Sequence, residues 1–231
     1  MRAGWPALEE VDVDGWLARF SGGVTQRANS VMPLAAPTDR TNTLEQVEKL
    51  YADRGLPTVF QIGSDATELD QVLADRGYGF GSPTSLQTAR IDQVPPTDGV
   101  EITESPDQDW LDLWWTVDGR GDADALATAV KILAGGPALY ATVRDDRGAV
   151  AIGRLALVGD WGGVYCMAVR ADARRRGLGA AVLRGLLAGG HEQGVTRYWL
   201  HVRAENTAAK QLYANAGFAE VSRYHYRTLA P

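Results

Sequence analysis

Met167-Ala-Val-Arg-Ala-Asp-Ala-Arg-Arg-Arg-Gly-Leu-Gly-Ala-Ala-Val-Leu183 is the stretch that decides how this chain is read. It begins as a strand and ends as a helix. Trp161 to Val169 is mostly apolar and carries Val164, Tyr165 and Val169, as a buried strand does. Ala171 to Arg176 is a polar turn, and from Gly177 onward Val182, Leu183, Leu186 and Leu187 recur at helical spacing. The first N–H groups of a helix have no partner within it, and the helix dipole favours an anion there. Gly177 and Gly179 stand at that point without a Cβ, so a phosphate can approach the backbone closely. Arg174, Arg175 and Arg176 add positive charge. The stretch reads as a pyrophosphate cradle. The plainer alternative is a strand, a solvated charge run and an ordinary helix start, because short glycine motifs are weak by themselves. A dinucleotide fingerprint fits less well, since Val182 stands where its third glycine would be.

The surrounding residues sharpen the reading. Arg174-x-x-Gly177-x-Gly179 resembles the acetyl-CoA pyrophosphate loop of the GNAT N-acetyltransferase superfamily. Downstream, Asn206-x-x-Ala209-x-x-Leu212-Tyr213-x-x-x-Gly217-Phe218 is similar to that superfamily's second cofactor motif at every position. The resemblance covers about the last 130 residues, a domain-sized unit. It implies an α/β fold with a mixed sheet, and transfer of an acetyl group from acetyl-CoA to a primary amine by direct attack. It also implies that Arg174, Arg175, Arg176, Gly177, Leu178, Gly179, Ala180, Asn206, Ala209 and Tyr213 bind the cofactor. Main-chain groups of Met167, Ala168 and Val169 would hold its pantetheine arm and thioester carbonyl.

Composition sets the outer bounds. The chain has 231 residues, 45% hydrophobic and 23% charged, within the ordinary range for a globular protein. A formal net charge of -6 argues against a general nucleic-acid binder and is compatible with a cationic amine drawn to an acidic cleft. The single cysteine, Cys166, lies in the apolar strand and is expected to be a small buried hydrophobe rather than a reactive thiol. There is no apolar signal core at Met1–Ala7 and no window long enough to span a membrane. The expectation is a cytoplasmic protein without nucleic-acid or membrane partners. A homodimer is compatible with it.

Along the chain, Asp14 to Phe20 is expected to be helical, Gly23 to Val31 a strand, and Leu44 to Arg54 a helix capped by Thr43 and stopped by Gly55. Pro57–Ile62 reads as a strand, Leu69–Arg76 as a helix ended by Gly77, and Tyr78–Ile91 as one or two short strands. Subtracting 140 from the later numbers lays Leu200-His-Val202 on Phe60-Gln-Ile62. The same shift lays Gln211, Ala214, Gly217 and Phe218 on Gln71, Ala74, Gly77 and Tyr78. Residues 1–93 are therefore expected to form a smaller, degenerate GNAT-like domain, in which Ala66 and Leu73 replace Asn206 and Tyr213. Residues 94–99, with Pro95 and Pro96, read as a linker, and residues 100–231 as the catalytic domain.

Acetyl transfer needs a group to take the amine's proton, a donor to the oxyanion and a proton for the leaving thiolate. Asn206, Ala209 and Tyr213 share one helical face. In the resembling family the tyrosine points at the cofactor sulfur, which makes Tyr213 the candidate acid; otherwise it is a core tyrosine. His201, in the strand before it, is the candidate base. Some relatives carry a glutamate there, and packing against a neighbour is the alternative. Glu205, Asp118 and Asp122 are the reserve carboxylates. Trp110, Trp114 and Trp115 are at spacings of core residues but could line an acceptor site. Three histidines and one cysteine offer no metal-ligand spacing, so no metal is expected. The acceptor could be a small amine, an amino acid, an aminoglycoside-like compound or a protein lysine. The alternative to an enzyme is a catalytically silent acyl-CoA sensor or partner-binding module.

Overall fold

The computed structural model describes residues 2–94, 97–119 and 121–230, so Pro95 and Pro96 of the expected linker lie outside the described residues. In chain order the elements are β1 (Glu9–Val13), β2 (Trp16–Phe20), β3 (Met32–Pro33), α1 (Arg40–Ala52), β4 (Thr58–Gly63), α2 (Thr67–Asp75), β5 (Gly79–Arg90) and β6 (Glu101–Thr103). They continue as α3 (Gln108–Asp118), α4 (Ala123–Leu133), β7 (Ala138–Asp145), β8 (Gly148–Val158), β9 (Trp161–Val169), α5 (Leu178–Glu192), β10 (Arg197–Arg203), α6 (Thr207–Asn215) and β11 (Ala219–Leu229). Contacts divide the chain into two units. One holds Met1–Gly4, Leu86–Asp122 and Gly136–Val221; the other holds Trp5–Ser85, Ala123–Gly135 and Ser222–Pro231.

In the first unit the strands lie in the order β6-β7-β8-β9-β10. Neighbours are antiparallel except β9 and β10, which run parallel. A parallel pair needs a crossover, and α5 supplies it. Val182, Leu183, Leu186 and Leu187 of α5 share one core with Leu139, Leu155, Val164 and Leu200 of the sheet. That face is where the helical periodicity of the sequence placed its apolar side.

In the second unit β1, β2 and β3 form a small sheet, and β4 pairs antiparallel with residues 224–229 of β11. Here several expectations fail for identifiable reasons. Asp14 to Phe20 is no helix. β1 and β2 form a hairpin through Asp14 and Gly15, both at positive φ (51° and 82°). Asp-Gly is a strong two-residue hairpin signal, and β2 is buried along its whole length, which hid the alternation expected of a strand. Gly23–Val31 is not a strand but a loop with a short 3₁₀ turn at Gln26–Ala28. The buried Asn29 side chain organises it, accepting from the N–H groups of Ser21 (2.7 Å) and Gly23 (2.9 Å) and donating to the carbonyls of Val24 and Thr25. Helix α1 starts four residues before the expected Leu44, because Asp39, not Thr43, is its cap. Tyr78–Ile91 holds one long strand, β5.

Candidate active site

The site is built around an irregularity in β9. The β8–β9 pairing runs Ile152 to Ala168 and then Arg154 to Tyr165, so Cys166 and Met167 stand opposite Gly153 alone. This is a β-bulge, with Cys166 at φ 53°. Gly153 is required beside it: a Cβ there would lie 2.6 Å from Met167 Sδ and 2.8 Å from Val182 Cγ1. Cys166 is half-buried at the bulge rather than buried in a strand interior, as expected of it. The parallel pairing of β9 with β10 extends from Trp161–Arg197 to Val164–Leu200. Past those residues the two strands are not paired with each other, although both continue. A gap thus opens between Tyr165–Val169 on one side and His201–Arg203 on the other.

Both strands lead from this gap into helix N-termini. Gly177 caps α5 in the left-handed region (φ 79°, ψ 0°), with no side-chain hydrogen bond to the cap. The first N–H groups of α5 are therefore left to a ligand or to water. A Cβ on Gly177 would meet nothing within 4 Å, and one on Gly179 only Leu212 Cδ2 at 3.6 Å and Val169 Cγ2 at 3.8 Å. Arg174, Arg175 and Arg176 are exposed, and among the described residues none of the three is ion-paired. Arg147 and Arg170 are instead bound to Asp172 and Asp145 respectively. The open amides, vacant space and unpaired cations fit a diphosphate. Asn206 caps α6, its side chain accepting from Ala209 N at 3.0 Å, so the Nδ2 group of its amide is still available as a donor. Ala209 is half-buried against the α5-side core.

A cavity of about 300 Å³ lies between α5, α6 and the segment Ile91–Val94. Ala180, Leu183 and Arg184 line it from α5, and Leu212 and Asn215 from α6. Leu212 is the same residue that faces Gly179.

The two candidate proton-transfer groups sit on opposite faces of β10. Tyr213 belongs to the core under α5, 7% exposed, with Phe218 edge-on at 6.0 Å. Burial pushes its phenol up to about 12, so it keeps its proton at neutral pH. Leu200 and Val202 point into that same core, so His201 between them points the other way. There its ring lies near-parallel to Tyr165 (6.4 Å between centroids, 28°). Tyr165 in turn accepts a hydrogen bond from Trp199 Nε1 at 3.1 Å. Arg154, 1% exposed, has its guanidinium 5.8 Å from the Tyr140 ring and 5.9 Å from that of Tyr165. Sequence reading named His201 and Tyr213 as candidates but did not pick out Arg154, Tyr165 and Trp199 as neighbours on the His201 face. The alternation Val164-in, Tyr165-out was their only signal.

The remaining candidates fall elsewhere. Trp110 and Trp114 are core residues; Trp110 stands edge-on to Tyr140 and its Nε1 donates to Gly153 O at 3.4 Å. Glu205 is exposed and held by Arg203 at 2.9 Å, while Asp118 and Asp122 are exposed near the end of α3. Among the described residues, no helix is long and apolar enough to cross a membrane.

A bulged strand parting from its parallel neighbour, above two helix N-termini, is the architecture of a GNAT-type acyltransferase. Known proteins agree. The chain belongs to the family described as probable histone acetyltransferase Rv0428c, C-terminal, which matches residues 1–227. It is 29% identical to the uncharacterized N-acetyltransferase YobR of Bacillus subtilis, over 97% of this chain and 94% of that one. It is 27% identical to the probable histone acetyltransferase Rv0428c of Mycobacterium tuberculosis, over 94% of this chain and 67% of that protein. In fold it is similar to a GCN5-related N-acetyltransferase from Kribbella flavida (TM-score 0.71, 18% identity, 96% of this chain and 89% of that one). The chain is an enzyme of the GNAT superfamily.

Proposed function

We propose that the chain moves an acetyl group from acetyl-CoA to a primary amine by direct attack of the amine. The observation carrying this is the gap past Val164 and Leu200, with His201 on one face of β10 and the core that includes Tyr213 on the other. The donor supplies an activated acetyl group as a thioester. Amides at Gly177, Leu178, Gly179 and Ala180, with Arg174, Arg175 and Arg176, would hold its diphosphate. The edge of β9 at Met167, Ala168 and Val169 and the free amide of Asn206 would align the arm that carries the sulfur. The cavity beside Leu212 gives room for the nucleotide end, with Arg184 at its mouth.

His201 takes a proton from the attacking nitrogen as the C–N bond forms. Tyr213 gives its proton to the sulfur as the C–S bond breaks. A buried phenol that stays protonated through neutral pH suits the second role. Residues 1–93, read as a degenerate GNAT-like half, hold no coenzyme.

The acceptor is read only as a primary amine. Relatives named for a histone and, in Salmonella typhimurium, for the alanine of ribosomal protein bS18 (39% identity over 39% of this chain and 61% of that protein) make polypeptide amines worth testing. The experiment is thiol release from acetyl-CoA with spermidine, kanamycin, an amino-acid amide, a histone-tail peptide and a peptide with N-terminal alanine. Acceptor-dependent release is expected, and Tyr213→Phe should lower kcat by about 10²–10⁴-fold while acetyl-CoA affinity changes little. Full activity of that variant would overturn the acid role.

A further inference from the structure

Resting on that reading, we propose that the turn Arg2–Gly4 is a wall of the acceptor site, and that Tyr165 is the positioning residue linking it to His201. The turn is fastened to the sheet face that carries His201. The buried Arg154 donates from Nη1 to Gly4 O at 2.9 Å. Gly4 itself is buried, and a Cβ on it would lie 2.7 Å from Trp199 Cζ2 and 3.0 Å from the Tyr165 hydroxyl oxygen. No side chain fits between this turn and the two aromatic rings.

Tyr165 occupies a particular place. It is the first residue of β9 past Val164, where the pairing with β10 ends, and it immediately precedes the bulged Cys166. Its ring faces the imidazole of His201, and its hydroxyl accepts from Trp199 Nε1. Gly4, Tyr165 and His201 thus form a contact series ending at the proposed base. The opposite face of β10 is filled by the core that includes Tyr213, so an amine reaching His201 must come from the side bounded by Tyr165 and the turn. A wall one aromatic ring thick, set by backbone at one end and touching the base at the other, fixes the direction of approach. Geometry of this kind governs how often the nitrogen meets the thioester carbonyl carbon at a productive angle.

The test compares Tyr165→Leu, Tyr165→Phe and Gly4→Ala with the wild type, using the best acceptor of the panel above. Tyr165→Leu and Gly4→Ala should lower kcat/KM for the acceptor by about tenfold to a hundredfold. The KM and calorimetric Kd for acetyl-CoA should stay at their wild-type values. Tyr165→Phe keeps the ring and should restore most of the loss. A second readout needs no acceptor: carbethoxylation of His201 by diethyl pyrocarbonate, followed by mass spectrometry, should become severalfold faster in Tyr165→Leu. Equal loss of acetyl-CoA binding, or unchanged acceptor kinetics together with an unchanged modification rate, would overturn the proposal. Wild-type protein that binds no acetyl-CoA would instead overturn the function on which it rests.

Discussion

Helix α5 begins on a bare glycine, and α1, which follows β3 in the other unit as α5 follows β9, begins under an aspartate. At Gly177 no side chain bonds to the helix start; at the start of α1 the Asp39 carboxylate accepts from Asn42 N at 3.1 Å. One unit leaves its helix N-terminus open to an anion, and the other fills it with an anion of its own. The second helices differ in the opposite sense. Asn206 caps α6, while Ala66 at the start of α2 provides no side-chain cap. The spans of α2 and α6 and the turns that close them are alike. Subtracting 140 turns Thr207–Asn215 into Thr67–Asp75, and Gly217 (φ 88°) and Gly77 (φ 90°) close the two helices. Phe218 N bonds to Tyr213 O, and Tyr78 N to Leu73 O, both at 3.0 Å. The strand–helix–glycine frame is thus common to both units, while the residues that would meet a ligand differ.

The largest effect that could break this contrast is a binding stoichiometry. Titration calorimetry is expected to saturate at one acetyl-CoA per chain. Gly179→Leu should take binding below detection, since its first carbon is tolerated beside Leu212 and Val169 but the rest would project into the cradle. Gly179 is the better position for this than Gly177, whose φ of 79° would add backbone strain to any substitution. Asp39→Ala should open no second site. Two acetyl-CoA per chain would show that the Asp39 end is no barrier.

The sequence was most legible where its signals are local. The strand, cradle and helix from Trp161 to Leu187 and the motif from Asn206 to Phe218 carry glycines, arginines and helical spacing in plain view. The hairpin at Asp14-Gly15 was misread because every residue of β2 is buried, so no period of two appears. The 23–31 loop was hidden because its order comes from Asn29, one side chain bonding to main chain near and far. The meeting of Tyr165 with His201 and of Arg154 with Gly4 was not legible, since it depends on strand register.

A second contrast concerns how the outer helices are held. Asp70 of α2 accepts from Arg227 Nε at 2.7 Å and Nη2 at 3.1 Å and contacts His225 Nε2 at 2.7 Å. Its counterpart in α6, by the same subtraction, is Lys210. The hydrogen bond from Arg227, with His225 adding to it, lowers the Asp70 carboxyl to about 2 from its ordinary 3.8. A depressed carboxylate contributes stability that is present above its unfolded value, here about 3.8, and lost as pH falls through about 2. The contribution at neutral pH is about 2 kcal/mol. Asp70→Asn should therefore lower the urea midpoint at pH 7 and flatten the fall in stability between those two values. A variant as stable as wild type at neutral pH would remove the ion cluster from the list of differences between α2 and α6.

The smallest effect tests the caps themselves. An asparagine N-cap is worth about 1 kcal/mol over alanine, because it satisfies one N–H that the helix leaves without a partner. Asn206→Ala should therefore destabilise by about that amount. In α2 the same exchange runs in reverse. Ala66 has φ −89° and ψ 44°, near the −80° and 73° of Asn206, so an asparagine can take the same conformation there. Ala66→Asn should raise stability by about 1 kcal/mol. Only Asn206→Ala should also weaken acetyl-CoA binding, since Asn206 alone has a proposed second duty for its amide. Urea unfolding and calorimetry on the two variants separate these contributions. Should Asn206→Ala lose stability but no affinity, Asn206 would be a cap and nothing more, and the difference between α6 and α2 at that position would lie in folding, not in ligand binding.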